Sequence, residues 1–536
     1  MRIRCAILSL VLLLSGCSLL SDQDVAPANG DPTGDLAFGD DPQSEDSTAD
    51  APPETVPREL RDRGGVLRVG VAATTWDDPA LIDEAREGEQ QVADLLFDGL
   101  TSVEAGGELR PAVASSWSPN SDASEWTFVI DPAAEFSDGS TITPEDVTHS
   151  LERVAALGVE SLAANRLSEV TAIDAFDDSV VVKLDRPFAG LPRLLASPIF
   201  GIVPVGFGNG SGLPVTSGSL AVVSEENNVI ELASVDAEAN FVDGIELHLY
   251  GTDSEVADAF ANGLLDLGST IAKAGTAEET GSDNASPIDE RRVVNGLDTS
   301  FFLMNLGNEA FADPQIRQAL VLAVDGSFVA SGTGLMAMPL EGLLPSSSDA
   351  WRPGVCEDCP YQPDQALEIL GGYSAGSLPL IHVDHLDDPE STAIAEAVVS
   401  DLAYVGFDVQ ARPHTPQAFA AKAAAGELSL FQFGVVGSWS SPEAYLGSLF
   451  ATDGADNVTS FSDPEVDRLL DEASQTLDDA DRRLLYQQAE ARILAFSVVI
   501  PLFEREHVWL IGPNVRNVRP AALGSFDPTA VWIAAE

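Results

Sequence analysis

Apolar and polar positions alternate in short runs over most of the chain, and these runs are separated by segments with helical spacing. Val66-Leu67-Arg68-Val69-Gly70-Val71 reads as a strand, as do 126–130, 179–184, 245–250, 300–305, 379–383 and 428–433. Helix starts stand between them. Thr143-Pro144, Asp313-Pro314, Asp388-Pro389, Thr415-Pro416, Ser441-Pro442 and Asp463-Pro464 each place a capping side chain before a proline suited to the first helical position. After Asp313, residues Ile316, Ala319, Leu320, Ala323 and Val324 fall on one helical face; after Asp463, Val466, Leu469, Leu470 and Ala473 do the same. Strands alternating with capped helices predict α/β layers, and no 20–50-residue repeat points to a solenoid.

The N-terminus departs from this pattern. Arg2 and Arg4 precede an apolar stretch at 6–14 that is too short to span a bilayer. Leu14-Ser15-Gly16-Cys17 then resembles a bacterial lipobox, which predicts cleavage before Cys17 and a diacylglyceryl group on its sulfur. An ordinary secretory signal with a chance cysteine is the alternative. Between Asp22 and Glu54 stand ten acidic residues and no basic one, with scattered Pro and Gly, a composition that extends rather than folds. The expectation is a signal peptide at 1–16 and an acidic tether at 17–64. The body would then be extracytoplasmic, held to the outer face of the membrane by lipid alone.

With 536 residues the chain has room for about three domains. Its 45% hydrophobic content is enough for a substantial core. The formal net charge of −59 repels phosphate backbones, so nucleic-acid binding is excluded as a general surface property. Only three of the basic residues are lysines, Lys183, Lys273 and Lys422, which reads as a coding bias or as a halotolerant surface. Beyond Cys5 and Cys17, the cysteines are Cys356 and Cys359. After export they fit a small local disulfide, with free thiols or another use left open.

Catalytic constellations are missing from the sequence. No phosphate loop and no nucleophile elbow occurs. His382 and His385 form the one close histidine pair, and on a strand the two would face opposite ways. No metal, no cofactor and no enzymatic role is expected.

A series of segments in fixed order resembles the family 5 extracellular solute-binding proteins, the peptide- and nickel-type receptors of ABC importers. It begins with Leu109-Arg110-Pro111-Ala112-Val113-Ala114-Ser115-Ser116-Trp117 and continues through Trp126-Thr127-Phe128, Phe136-Ser137-Asp138-Gly139 and Thr143-Pro144-Glu145-Asp146-Val147. Asn305, Asp313, Ile316, Arg317, Ala319 and Asp325 are similar to a later family segment, and Ile500-Pro501-Leu502-Phe503 lies near its end. The resemblance covers about 65–520. It implies an α/β, two-lobed clamshell with an extra small α/β subdomain in the first lobe. Its parts would be 65–102, 205–296 and 506–536 for the first lobe, 103–204 for the subdomain and 297–505 for the second lobe. Crossings between the lobes would fall near 295–300 and 503–509.

What the resemblance implies for function is a monomeric receptor that captures a small, peptide-like solute and hands it to ABC permease subunits. A receptor-derived surface protein with a decayed solute site is the rival, and an exported hydrolase a distant third. Candidate ligand-binding residues are Trp76, Phe302, Asn305, and Gly434, Val436, Ser438 and Trp439 in the stretch that leads to Pro442. Trp76, Trp439 and Asn305 stand equally for cleft or structural roles; for Phe302 the core is favoured. The family commonly places an amine-pairing Asp where this chain has Ser438, and a Tyr where it has Trp439. Asp77 and Asp78, beside Trp76, are the nearest substitute carboxylates by family position.

The lipobox reading has a direct consequence. The thioether on Cys17 is the one membrane attachment it provides, so Cys17→Ser should release the protein into the medium or leave its signal uncut. Fractionation followed by immunoblotting checks this, and full membrane partition after signal removal would refute the reading.

Overall fold

The computed structural model describes residues 64–82, 87–104, 107–158, 161–208, 212–235, 242–271, 290–333, 337–374, 376–435, 441–519 and 525–534. Cys17, the tether and Val436, Ser438 and Trp439 lie outside the described residues.

The strand Val66–Ala72 forms the middle of the first lobe. It runs parallel to Gly244–Tyr250 on one side and to Leu267–Thr270 on the other, and Val229–Ser234 and Leu220–Glu226 extend the sheet antiparallel. Leu67, Val69 and Val71 are wholly buried. The helix Glu87–Leu96 starts against the end of this strand. Gly88 permits that approach, since a Cβ there would lie 2.0 Å from the carbonyl oxygen of Ala72.

The small subdomain is a four-stranded antiparallel sheet in the order Ala114–Pro119, Glu125–Ile130, Ser179–Leu184, Val170–Ala175. Trp126, Phe128, Val180 and Val182 turn their buried faces to the helix Pro144–Ala155, whose capping box is closed by Thr143 and Asp146. The second lobe has a parallel core, with Leu380–Leu386 between Asp408–His414 and Leu430–Val435. All six proline-led helices begin as the sequence predicts. Thr143, Asp313, Asp388, Thr415, Ser441 and Asp463 each accept a backbone N–H of the first turn. The Sγ atoms of Cys356 and Cys359 are bonded, in the wall of a second-lobe core.

Two long strands join the lobes. Glu290–Met304 and Val499–Ile511 run antiparallel along most of their length. At one end Val508 to Ile511 pair with Leu267–Thr270 of the first lobe; at the other, Thr299 to Met304 pair with Leu430–Val435 of the second. A single eleven-stranded sheet therefore continues from lobe to lobe. Its register breaks between the pairs Asn295↔Glu506 and Thr299↔Glu504, where three residues of one strand oppose one of the other.

The subdomain is fastened to the first lobe by an ion pair. Asp78 accepts from Ala80 N at 3.0 Å, which caps the short turn Pro79–Leu81. The same carboxylate takes Arg153 Nη1 at 2.8 and 2.6 Å, with both side chains about four-fifths shielded from solvent. A charge-assisted contact of this kind is worth about 1.5–3 kcal/mol, and truncation leaves the guanidinium without its anion. Asp78→Ala should therefore lower the unfolding free energy by about 2 kcal/mol in urea titration. Unchanged stability would mean that Asp78 does not hold the subdomain.

Candidate ligand cleft

The lobes meet where the start of the helix Pro442–Phe450 faces the small subdomain. Ala444 packs against the cores of both lobes. Ala189 N–H donates to Ser474 O at 2.7 Å, from the subdomain side to the helix Pro464–Gln475. Arg193 Nη2 donates to Gly107 O at 2.8 Å and lies 3.8 Å from Asp349 Oδ2 of the second lobe.

Glu443 lies in the first turn of this helix, next to Ala444. Ser441 caps its helix by accepting the Glu443 N–H at 3.4 Å, which fixes the first turn. Tyr486, itself buried, donates its hydroxyl to Glu443 Oε2 at 2.7 Å. Burial pushes the Glu443 carboxyl above its ordinary range; the Tyr486 hydrogen bond and the Arg186 charge from the first lobe draw it back, while Glu169 and Asp471 raise it further. Arg186 is paired with Glu169 through both carboxylate oxygens.

The register break lies in the ladder that joins the two lobes. Asp298, Thr299 and Ser300 are buried there. Thr299 is paired across the ladder with Glu504, whose carboxylate accepts Ser346 N–H at 2.6 Å and the Ser346 hydroxyl. Burial raises the Glu504 carboxyl against those two hydrogen bonds. Tyr445 is buried as well; burial first, then Asp298 and Glu504, hold its phenol well above the usual range, against the lowering charge of Arg166. One turn of strand further, burial and the charge of Arg505 push His507 down to about 3. Arg505 itself is ion-paired with Glu390. Polar and titratable groups thus concentrate where the ladder between the crossing strands is interrupted.

Most candidates named from the sequence lie elsewhere. Trp76 is only 6% exposed, part of the first-lobe core, with Nε1 donating to Glu225 Oε1 at 3.4 Å. Asp77 is exposed, and Asp78 is the strut already described. Phe302 is wholly buried, because its strand is central and covered on both faces: Phe301 belongs to one second-lobe core and Phe302 to the other. Asn305 is buried as a brace, with Nδ2 donating to Gly426 O at 2.9 Å and Leu428 O at 2.8 Å and Oδ1 accepting Gly307 N–H at 3.0 Å. Of the two roles open for each, the structure places Trp76 and Phe302 in lobe cores, the latter as favoured, and uses Asn305 as a brace. Gly434 does lie by the register break, paired with Ser300, and a Cβ there would come 2.7 Å from Thr299 O. The sequence reading passed over Glu443, Tyr445, Thr299 and Glu504. The one signal available was Glu443 itself, an acidic residue in the first turn directly after the altered stretch.

A separate cavity of about 310 Å³, lined by Asp94, Asp98, Ser525 and Asp527, is enclosed by first-lobe residues alone. Lobe motion would not close it. Among the described residues no group of three His, Cys, Asp or Glu is placed to hold a metal, and no helix is long and apolar enough to cross a membrane.

The profile of the bacterial extracellular solute-binding proteins, family 5, matches residues 108–457, more than half of the chain. The chain is 24% identical over 482 residues to the probable deoxycholate-binding periplasmic protein YgiS of Escherichia coli K12, covering 82% of this chain and 88% of that one. It is also 24% identical over 491 residues to the periplasmic murein peptide-binding protein MppA of the same organism, covering 82% and 88%. Among solved structures, the unliganded open form of MppA aligns with a TM-score of 0.75 at 19% identity, over 89% of this chain and 98% of that one. HbpA2 from Haemophilus parasuis aligns with a TM-score of 0.77 at 17% identity, over 88% and 100%. These likenesses give the two-lobed periplasmic-binding fold. With the profile match across the subdomain, the crossing strand Glu290–Met304 and most of the second lobe, the chain belongs to the bacterial extracellular solute-binding proteins of family 5.

Proposed function

We propose that this protein is a lipid-anchored receptor of an ABC importer that captures an oligopeptide-like solute outside the cell and delivers it to permease subunits. Family 5 is a family of solute receptors, so the working step is binding and not a reaction. The observation that carries the reading is the shared ladder with its register break under a polar junction. Two lobes held by such a ladder close around a ligand when the ligand touches both, and the ligand shifts the population toward the closed form.

The division proposed from the sequence assigns 65–102, 205–296 and 506–536 to the first lobe, 103–204 to the subdomain and 297–505 to the second lobe. Anchoring through Cys17, the tether at 17–64 and a monomeric receptor complete the proposal. Strand-like hydrogen bonding along 434–439 would hold a peptide backbone with little regard to its side chains. Peptides are favoured by names such as the murein peptide-binding MppA and the oligopeptide-binding OppA of Escherichia coli. Relatives at similar identity are named for other solutes: the probable deoxycholate-binding periplasmic protein YgiS and heme-binding protein A of Haemophilus influenzae. Ser438, in place of an amine-pairing Asp, is the observation that supports the second reading, a receptor whose solute site has decayed.

Mass spectrometry of protein purified from its native host distinguishes the two. The receptor reading predicts that denaturation releases a small peptide-like solute, and that the stripped protein rebinds it with a rise in melting temperature. A clean protein that no peptide mixture stabilises would contradict the peptide assignment and favour the decayed site.

A further inference from the structure

We propose that the segment from Arg186 to Arg193 is a strap by which the small subdomain clasps the second lobe and biases the receptor toward its closed form before any solute arrives. The strap follows the strand Ser179–Leu184 and is fixed to the subdomain along its length. Arg186 is ion-paired with Glu169, the Phe188 N–H donates to Ala123 O at 3.0 Å, and the Phe188 carbonyl accepts the indole N–H of the buried Trp126 at 3.1 Å. Arg193 completes it by donating to Gly107 O at 2.8 Å. Gly190 allows the turn, since a Cβ there would come 2.7 Å from the Phe188 ring. Both backbone groups of Phe188 are thus held within the subdomain. The next N–H, that of Ala189, is donated across to the second lobe, where Ser474 O accepts it at 2.7 Å.

The place of the acceptor gives this contact its weight. Ser474 lies in the last turn of the helix Pro464–Gln475, where carbonyls have no intrahelical N–H to accept. Its neighbours are met from within the second lobe: Ala473 O takes the Thr476 N–H and Glu472 O takes the Thr476 hydroxyl. Ser474 O takes its donor from the subdomain. A second contact lies at the far end of the strap. Arg193 Nη2 stands 3.8 Å from Asp349 Oδ2, with the two side chains only 13% and 20% exposed. Asp349 is steadied through its neighbour Ala350, whose carbonyl accepts Gln487 Nε2 at 3.1 Å. Ala444, packed against the cores of both lobes, adds an apolar contact. All three contacts are made by the protein alone and break when the lobes part, so they favour the closed form whatever the solute. A receptor whose closed form is already populated binds any solute that closes it more tightly, in proportion to that population.

The test is double electron–electron resonance on the full-length protein, stripped of solute and spin-labelled at Phe176→Cys in the subdomain and Tyr404→Cys in the second lobe, two positions whose side chains are more than half exposed. The labelled parent is compared with Asp349→Ala, Asp349→Glu and Ala189→Pro. The parent should show a shorter-distance component without solute. Asp349→Ala should lower the ratio of that component to the longer one by about threefold, the scale of one partly exposed ion pair, and Asp349→Glu should retain most of it. Ala189→Pro deletes the donated N–H and should lower the ratio to a similar extent. A melting temperature near the parent's shows that a variant is folded; if Ala189→Pro is not, Asp349→Ala decides. A parent without the shorter component overturns the proposal, as does a folded Asp349→Ala or Ala189→Pro whose distribution superimposes on the parent's. No solute enters the experiment, so its failure is distinct from a failure of the peptide assignment.

Discussion

The antiparallel ladder between Glu290–Met304 and Val499–Ile511 is the β-pairing that runs through both lobes among the described residues. The strand Val499–Ile511 is buried along nearly its whole length, and the ladder's backbone hydrogen bonds would have to be replaced if the lobes came apart, so separation is closed off. Bending is not. At the break between Asn295 and Thr299, three residues oppose one, and a ladder interrupted in this way can change its local twist without losing the pairs on either side. Both lobes are thus rigid on their own sheets and joined by a short element with a weak point, the condition for hinge closure.

Electrostatics then sets what closure requires. In a chain with a formal net charge of −59, bringing two lobe surfaces together generally opposes like charges. Among the described contacts Arg193 faces Asp349 across the lobes, while Arg186 holds Glu169 within the subdomain and Arg505 holds Glu390 within the second lobe. Glu443, in the first turn of its helix, is oriented by a phenol and not by a cation. The register break carries buried titratable groups of its own: burial raises the Glu504 carboxyl, and burial and the charge of Arg505 lower His507.

Local chemistry was legible in the sequence, and long-range chemistry was not. The six proline-led helix starts were readable because a cap involves residues two or three positions apart. The crossing strand was read only as 300–305, whereas it begins at Glu290. Its first half, Glu-Arg-Arg-Val-Val-Asn-Gly-Leu-Asp-Thr, lacks strand alternation and is ordered by a partner some two hundred residues away. Trp76, Phe302 and Asn305 were chosen for residue type, yet which face of a strand is covered depends on the second layer of the fold, and both faces are covered at Phe302. Asp78 looked like a spare carboxylate because Arg153 is far along the chain. Glu443 was overlooked for the same reason, since two of the charges that act on it, Arg186 and Glu169, lie far along the chain in the subdomain.

The account turns on lobe closure about this ladder, and the most direct measurement is a distance between lobes. Phe176 of the subdomain and Leu484 of the second lobe are both more than half exposed and will accept spin labels after replacement by cysteine. Double electron–electron resonance should give a broad, longer distribution in the solute-free protein and a narrow, shorter one once solute is bound. Superimposable distributions with a tightly bound solute would contradict closure about the Glu290–Met304 and Val499–Ile511 ladder.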